Sequence, residues 1–332
     1  MDLQANSRIA GIGISIPNQK VSSDDIMTEI GSRRFGVPEN FISRRIGILE
    51  RRFSEPQTRP SDLAFQASAE ALQEAGVTPK EIDMIIFCGI DRDWKEPSTA
   101  CRIQYLLGAT KASCMDISNA CLGFMNGLAT ADAYIASGAA DNVLVCTGET
   151  QYKVTSYAIR ELKKSRDSDL FKRSIGSLTV GDAGGAMVVQ RSPGDCGFGR
   201  FRFWTEGDKA ELCYIKEENG KLIGQMLMSE ISREITDFHR RKIGDTYSDS
   251  GMSPVDVELL YCHQVGKGPH INMARLADVD CDRAPITYDC FGNLTSATIP
   301  VTMHKNRPKK GHKYLILGTG SGLSICQTEM IF

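Results

Sequence analysis

The sequence has no run of the roughly 20 apolar residues a helix needs to cross a bilayer, so no membrane span is expected. It has no CxxC pair, and its 11 cysteines and 5 histidines are scattered along the chain, so no metal site is expected. It lacks an excess of either charge: 39 Lys and Arg face 41 Asp and Glu, a formal net charge of −2, which argues against nucleic acid as a partner. The one dense basic run, "NRPKKGHK" (306–313), reads as a solvated loop. The opening "MDLQANSRIAGIGISIP" lacks the basic-then-apolar order of a signal peptide. With that absence, the cysteines suggest a reducing cytoplasm rather than a disulfide framework. Most of them should be buried and inert. Low-complexity linkers are also missing, so the chain should share one core.

What is present is an alternation of apolar runs and amphipathic stretches. Strands are expected at 8–17, 82–90, 112–118 and 141–149, with helices at 61–76, 98–109 and 121–138 between them. Ser61 or Asp62 would cap the helix over 61–76, and Gly76 would end it. Residues 150–180 read as surface helix and loop, followed by a Gly-broken turn and a strand in 179–191. The rhythm then repeats, with strands near 197–204, 257–263 and 284–289 and helices near 226–243 and 270–277. A short helix after Asn293 and two C-terminal strands, "KYLILGTG" and "LSICQTEMIF", complete it. Alternating strands and helices predict an α/β fold with mixed, mostly parallel sheets. The repeat suggests two similar βαβαβ halves, 1–190 and 191–332.

Four short stretches could carry chemistry. In "DISNACLGFMNG" (116–127), Cys121 stands where a strand becomes an apolar helix. The free N–H groups of a helix start favour a thiolate, and Ala120 and Gly123 leave room for a substrate. His263 ends the apolar strand "ELLYCH" and is either a hydrogen-bonded turn residue or a site residue. Asn293, in "CFGNLTSATIP", is equally a plain turn and cap residue. "GTGSGLS" (318–324) is a tight hairpin or a set of backbone donors for an oxyanion, and no P-loop lysine follows it.

The order of these stretches is more specific than any one of them. "SNACLGF", "YCHQ", "GNLTSATIP" and "GTGSGLS", with "GILERRF" (47–53) and "VGDAGGA" (180–186), resemble the thiolase-fold condensing enzymes, above all the ketoacyl-ACP synthase III type. The resemblance spans about residues 8–332 and implies a layered αβαβα arrangement and a homodimer. "DRDWKEPSTA" (91–100), "GET" (148–150) and "HQV" (263–265) resemble the branch that joins two acyl-CoA molecules head to head in bacterial olefin synthesis.

The resemblance implies a Claisen condensation to a β-keto product. Cys121 would carry the acyl group as a thioester, and His263 and Asn293 would stabilise the enolate of the second substrate. The backbone N–H groups of Cys121 and Ser321 would form the oxyanion hole, although the synthase III type has Gly where Ser321 stands. Glu96 would be the base for an ordinary acyl-CoA acceptor, reaching across the dimer interface, with a solvated loop residue as its bland alternative. Malonyl-ACP, decarboxylating, would need no base. Arg45 and Lys267 would approach CoA phosphate, and Phe41 stands where the family has a stacking Trp. The Asn and Arg that follow "HQ" in the family are replaced by Val265-Gly266-Lys267-Gly268, which leaves carrier-protein docking open. No cofactor is implied beyond the phosphopantetheine of CoA or acyl carrier protein. Two other readings stay open: an acyltransferase passing the acyl group to an alcohol or amine, and a silent subunit of a heterodimeric synthase.

Overall fold

The computed structural model describes residues 5–218 and 221–332. Two five-stranded sheets form its frame. The first comprises β1 (Ser7–Ser15), β2 (Met84–Cys88), β3 (Ser113–Ile117), β4 (Asn142–Glu149) and β5 (Ala183–Arg191), in the order β1-β5-β4-β2-β3. Only β5 runs against the rest, being antiparallel to both β1 and β4. The second comprises β6 (Gly197–Phe198), β7 (Arg202–Thr205), β8 (Val257–Cys262), β9 (Lys313–Gly320) and β10 (Ser324–Ile331). Here β8 and β9 are parallel, and β10 alone runs against its neighbours β9, β6 and β7. The pattern of one reversed strand inserted beside parallel ones therefore occurs twice.

The helices include α1 (Pro60–Ala75), α2 (Thr99–Leu107), α3 (Gly123–Ala136), α4 (Tyr152–Lys163), α5 (Ser168–Ser174), α6 (Met228–Ser250), α7 (Lys267–Leu276) and α8 (Thr298–Lys305). Strand periodicity assigns each its layer. On β2, Ile86 faces a cluster with Phe124 and Leu128 of α3, Ile299 and Met303 of α8, and Tyr261 and Ile316 of the second sheet. Its neighbours Ile85 and Phe87 face the other way, onto Ala64, Ala67 and Ala71 of α1 and Ile103 of α2. Ile235 and Phe238 of α6 and Met273 of α7 cover the outer face of the second sheet through Leu260, Leu315 and Leu317. The result is five layers, αβαβα, with both sheets buried on both faces, which is why their strands read as continuous apolar runs. Close approach sets the composition of β1. A Cβ on Gly13 would lie 2.0 Å from the backbone oxygen of Ala67, so β1 needs glycine there.

Three details differ from expectation. Arg59 precedes α1, with Pro60 at its first position, and the carboxylate of Asp62 accepts the Arg59 N–H at 3.0 Å; Ser61 instead bonds Asp93. No strand occupies 284–289. The side-chain Oε1 of Gln264 accepts the N–H groups of Thr287 and Tyr288 at 2.9 and 3.1 Å, occupying donors a ladder would use, and a short helix follows at Tyr288–Phe291. Two ribbons were not anticipated, Gln19–Ser22 with Glu50–Phe53 and Cys213–Glu218 with Lys221–Met226. Among the described residues no helix is long and apolar enough to cross a membrane.

Candidate active site

Cys121 lies in a sharp turn between β3 and α3. Ala120 sits in the left-handed region at φ 48°, and Leu122 N–H and Gly123 N–H close the turn onto Asn119 O and Ala120 O, both at 3.0 Å. A left-handed non-glycine residue is strained and persists where its surroundings dictate it. The hairpin between β9 and β10 packs directly on this turn. A Cβ on Gly320 would fall 2.9 Å from Asn119 O and 3.1 Å from Leu122 N, so only glycine lets the two turns meet. The hairpin and donor-loop readings of "GTGSGLS" are thus compatible.

His263 follows β8 and is anchored by its N–H to Leu317 O at 3.0 Å. It is buried, its Nδ1 has no partner among the described residues, and burial depresses its pKa to about 4, so the imidazole is neutral at physiological pH. Asn293 is held on both backbone sides: its N–H donates to Thr179 O at 2.9 Å and its C=O accepts from Gly181 N–H at 3.0 Å. Its side-chain Oδ1 accepts the Thr295 N–H at 2.9 Å, which leaves Nδ2 as the group free to donate.

One pocket collects these residues. Cys121, His263, Asn293, Gly320 and Ser321 share its wall, and Val265, Pro269, Met273, Met226, Met228 and Ile235 supply most of the rest. Its empty space, up to the mouth, is about 690 Å³, within the usual span of small-molecule sites. The wall is almost entirely hydrocarbon and thioether, which suits an acyl chain.

The electrostatics differ from the expected thiolate. Burial first, then the neighbouring Cys213 and Glu149, push the Cys121 thiol upward. Cys213, on the unanticipated ribbon, also lines the pocket, and burial raises its own pKa against a hydrogen bond from Ser321.

The remaining predicted residues lie outside this pocket. Arg45 is exposed on a turn, Ile42–Ile46, which packs beside α7, and exposed Lys267 begins α7, so both border the same outer face. Phe41 is half-buried and packs on the cluster around Ile26, Met27 and Ile42. Glu96 is exposed, on the loop between β2 and α2. That loop is pinned at its base. Asp91 accepts from Thr150 Oγ1 at 2.9 Å, and Asp93 accepts from Ser61 and meets Arg102 Nε at 3.3 Å. The tip, Trp94 to Glu96, is exposed, with the Arg59 guanidinium over the Trp94 ring.

Sequence reading missed a buried acidic cluster behind the pocket. Glu149 ends β4, fully buried; Asp91 lies beside it, and Gln151 Nε2 donates to both carboxylates, at 3.1 and 3.4 Å. Burial, reinforced by Asp91, pushes Glu149 up to about 7, and burial raises Asp91 as well. The signal available was a lone acid at the end of an otherwise apolar strand, in "VLVCTGET".

A duplicated five-layer αβαβα fold with a cysteine in a strand-to-helix turn is that of the thiolase-fold condensing enzymes. A family model described as 3-oxoacyl-[acyl-carrier-protein] synthase III matches residues 115–207, and its C-terminal companion matches 247–328. Beta-ketoacyl-[acyl-carrier-protein] synthase III 1 of Halalkalibacterium halodurans is 30% identical over 323 residues, 95% of each chain. Cerulenin-bound OleA of Xanthomonas campestris superposes with a TM-score of 0.92 at 25% identity, covering 99% of this chain and 98% of that one. A cysteine-to-serine variant of that OleA, solved with lauric acid and lauroyl-CoA, also has a TM-score of 0.92, at 24% identity, covering 99% of this chain and all of that one. The chain belongs to the 3-oxoacyl-[acyl-carrier-protein] synthase III family, and it is a condensing enzyme of the acyltransferase class.

Proposed function

We propose that the enzyme joins two acyl thioesters through an acyl group carried on Cys121, with acyl-CoA as both donor and acceptor. The observation that carries this reading is the single apolar pocket shared by Cys121, His263, Asn293 and Ser321. Cys121 Sγ attacks the donor's thioester carbonyl. The tetrahedral oxyanion meets the N–H groups of Cys121 and Ser321, the C–S bond to CoA breaks, and CoA leaves as its thiol with the proton from Cys121. The acceptor then loses an α proton to a base. Neutral His263 and Asn293 Nδ2 donate to its thioester oxygen as the enolate forms. The enolate carbon attacks the acyl-Cys121 carbonyl, the bond to Sγ breaks, Sγ takes up the proton held by the base, and a β-keto thioester leaves. Preorganised donors of this kind are each worth roughly 10²–10³ in rate.

Glu96 is the base in this reading, acting across a homodimer. What supports it is the exposed loop tip and the open edge at β3, whose far side has no neighbouring strand among the described residues. A second copy on that edge would satisfy its unpaired backbone groups and bring the tip toward the other copy's pocket. Arg45 and Lys267 would meet the CoA phosphates at the shared outer face, and Phe41 would flank the nucleotide.

A malonyl-ACP acceptor is the second reading, favoured by the beta-ketoacyl-[acyl-carrier-protein] synthase III name of the 30%-identical relative. Mass spectrometry of products from acyl-CoA alone, then with malonyl-ACP added, separates the two. A β-keto product from acyl-CoA alone is expected. A product that appears only with malonyl-ACP would overturn the acyl-CoA reading, and a free ester or amide without a β-keto acid would overturn condensation.

A further inference from the structure

The wall behind Asn293 contains a device that the reaction as described does not use. Asn293 leads into Thr295, a β-branched residue in the left-handed region at φ 52°, and then into Ser296. A β-branched side chain strongly disfavours that backbone region, so the turn needs outside restraint to persist. The restraint comes from the first sheet. Ser296 Oγ–H donates to Glu149 Oε1, and Thr147 Oγ1–H donates in turn to Ser296 Oγ at 2.5 Å. Glu149 is itself fixed: Oε1 also accepts Ile90 N–H at 3.1 Å, and Oε2 accepts Gln151 Nε2 at 3.1 Å. The same turn hands its Thr295 N–H to Asn293 Oδ1, which is what orients the Asn293 amide.

We infer that Glu149, acting through Ser296, is a positioning residue that holds the Thr295–Ser296 turn and so aims Asn293 Nδ2 at the acceptor's oxygen. The inference rests on the reading of Asn293 as an enolate donor. It predicts a split between the two half-reactions. Acylation of Cys121 uses the turn at 119–122 and the hairpin at 320–321, whereas the hydrogen bonds of the Ser296 side chain go to Thr147 and Glu149. Condensation needs Asn293. A misplacement of about 1 Å in a reacting group costs on the order of 10²-fold in rate.

The test measures both half-reactions in the full-length enzyme with one acyl-CoA. Acylation is read as the single-turnover burst of free CoA, and condensation as β-keto product. Ser296→Ala cuts the bridge while Glu149 keeps Ile90 and Gln151. Its condensation is expected to fall about tenfold or more, with an undiminished burst. Glu149→Ala, which also removes the carboxylate that helps raise the Cys121 pKa, should lose about 10²-fold in condensation and retain acylation, and Glu149→Gln, which keeps an acceptor oxygen toward Ser296, should recover most of that loss. Asn293→Ala is the reference. If Asn293→Ala condenses normally, the reading of the site fails. If it does not, but Ser296→Ala and Glu149→Ala condense at the wild-type rate, or lose acylation and condensation in equal measure, the positioning role is overturned.

Discussion

His239 offers a measurable link between fold and pH. It lies on α6, fully buried, and both ring nitrogens are engaged: Nε2–H faces Thr319 Oγ1 at 3.1 Å, and Nδ1 accepts from Gln327 Nε2 at 3.0 Å. Gln327 is held in that orientation by Thr246, whose hydroxyl donates to its Oε1 at 2.6 Å. A proton on Nδ1 would point at an amide donor in a dry interior. Burial accordingly depresses the pKa from 6.5 to about 3. The unfolded chain therefore binds a proton that the folded chain refuses between about pH 3 and 6.5, and stability rises with pH across that window. Acidification from pH 7.5 to 5 should remove about 2 kcal/mol through this residue alone, from roughly 1.4 kcal/mol per pH unit below 6.5. His263 acts in the same sense, while Glu149 and Asp182, raised to about 7 and about 6 by burial, act in the opposite one. The informative quantity is therefore the difference between wild type and His239→Gln, measured by urea unfolding at pH 7.5 and pH 5. The variant's deficit at pH 7.5 should shrink by about 2 kcal/mol at pH 5. A deficit that does not change with pH would refute the reasoning.

Other outcomes follow from the same geometry. Gly148→Ala would put a Cβ 1.9 Å from Pro60 O, a backbone atom that cannot swing away, and should cost about 1–3 kcal/mol in a denaturation midpoint. Glu96→Gln should leave the CoA burst unchanged and slow self-condensation of acyl-CoA by about 10²–10⁴, read as β-keto product; an unchanged rate would remove Glu96 as base. Brief alkylation with iodoacetamide should label exposed Cys101, Cys281 and Cys290 first and leave buried Cys88, Cys146, Cys262 and Cys326 untouched by peptide mapping.

Much of the frame was legible because sheets buried on both faces write themselves as apolar runs. β2, β4 and β8 lie within two residues of their expected bounds for that reason. The Gln19–Ser22 and Cys213–Glu218 ribbons were not legible, since exposed, charge-bearing strands carry no such run. The segment 284–289 looked like a strand by composition, but Gln264, distant in sequence, claims its donors. At the site, the order of the motifs singled out Cys121, His263 and Asn293, which the fold brings to one pocket, whereas the Cys121 environment was misjudged. A helix start visible in sequence suggested a lowered pKa, and burial beside Cys213 and Glu149, invisible there, raises it. The Glu149–Ser296 bridge joins positions 147 residues apart, and no local pattern announces it.

The central claim is that Cys121 carries the acyl group, and intact-protein mass spectrometry tests it most directly. Wild-type enzyme incubated with an acyl-CoA should gain the mass of one acyl group, mapped by peptide analysis to Cys121 and removed by hydroxylamine. Cys121→Ala should gain none and make no β-keto product. An adduct on another cysteine, or product formation by Cys121→Ala at the wild-type rate, would contradict the account.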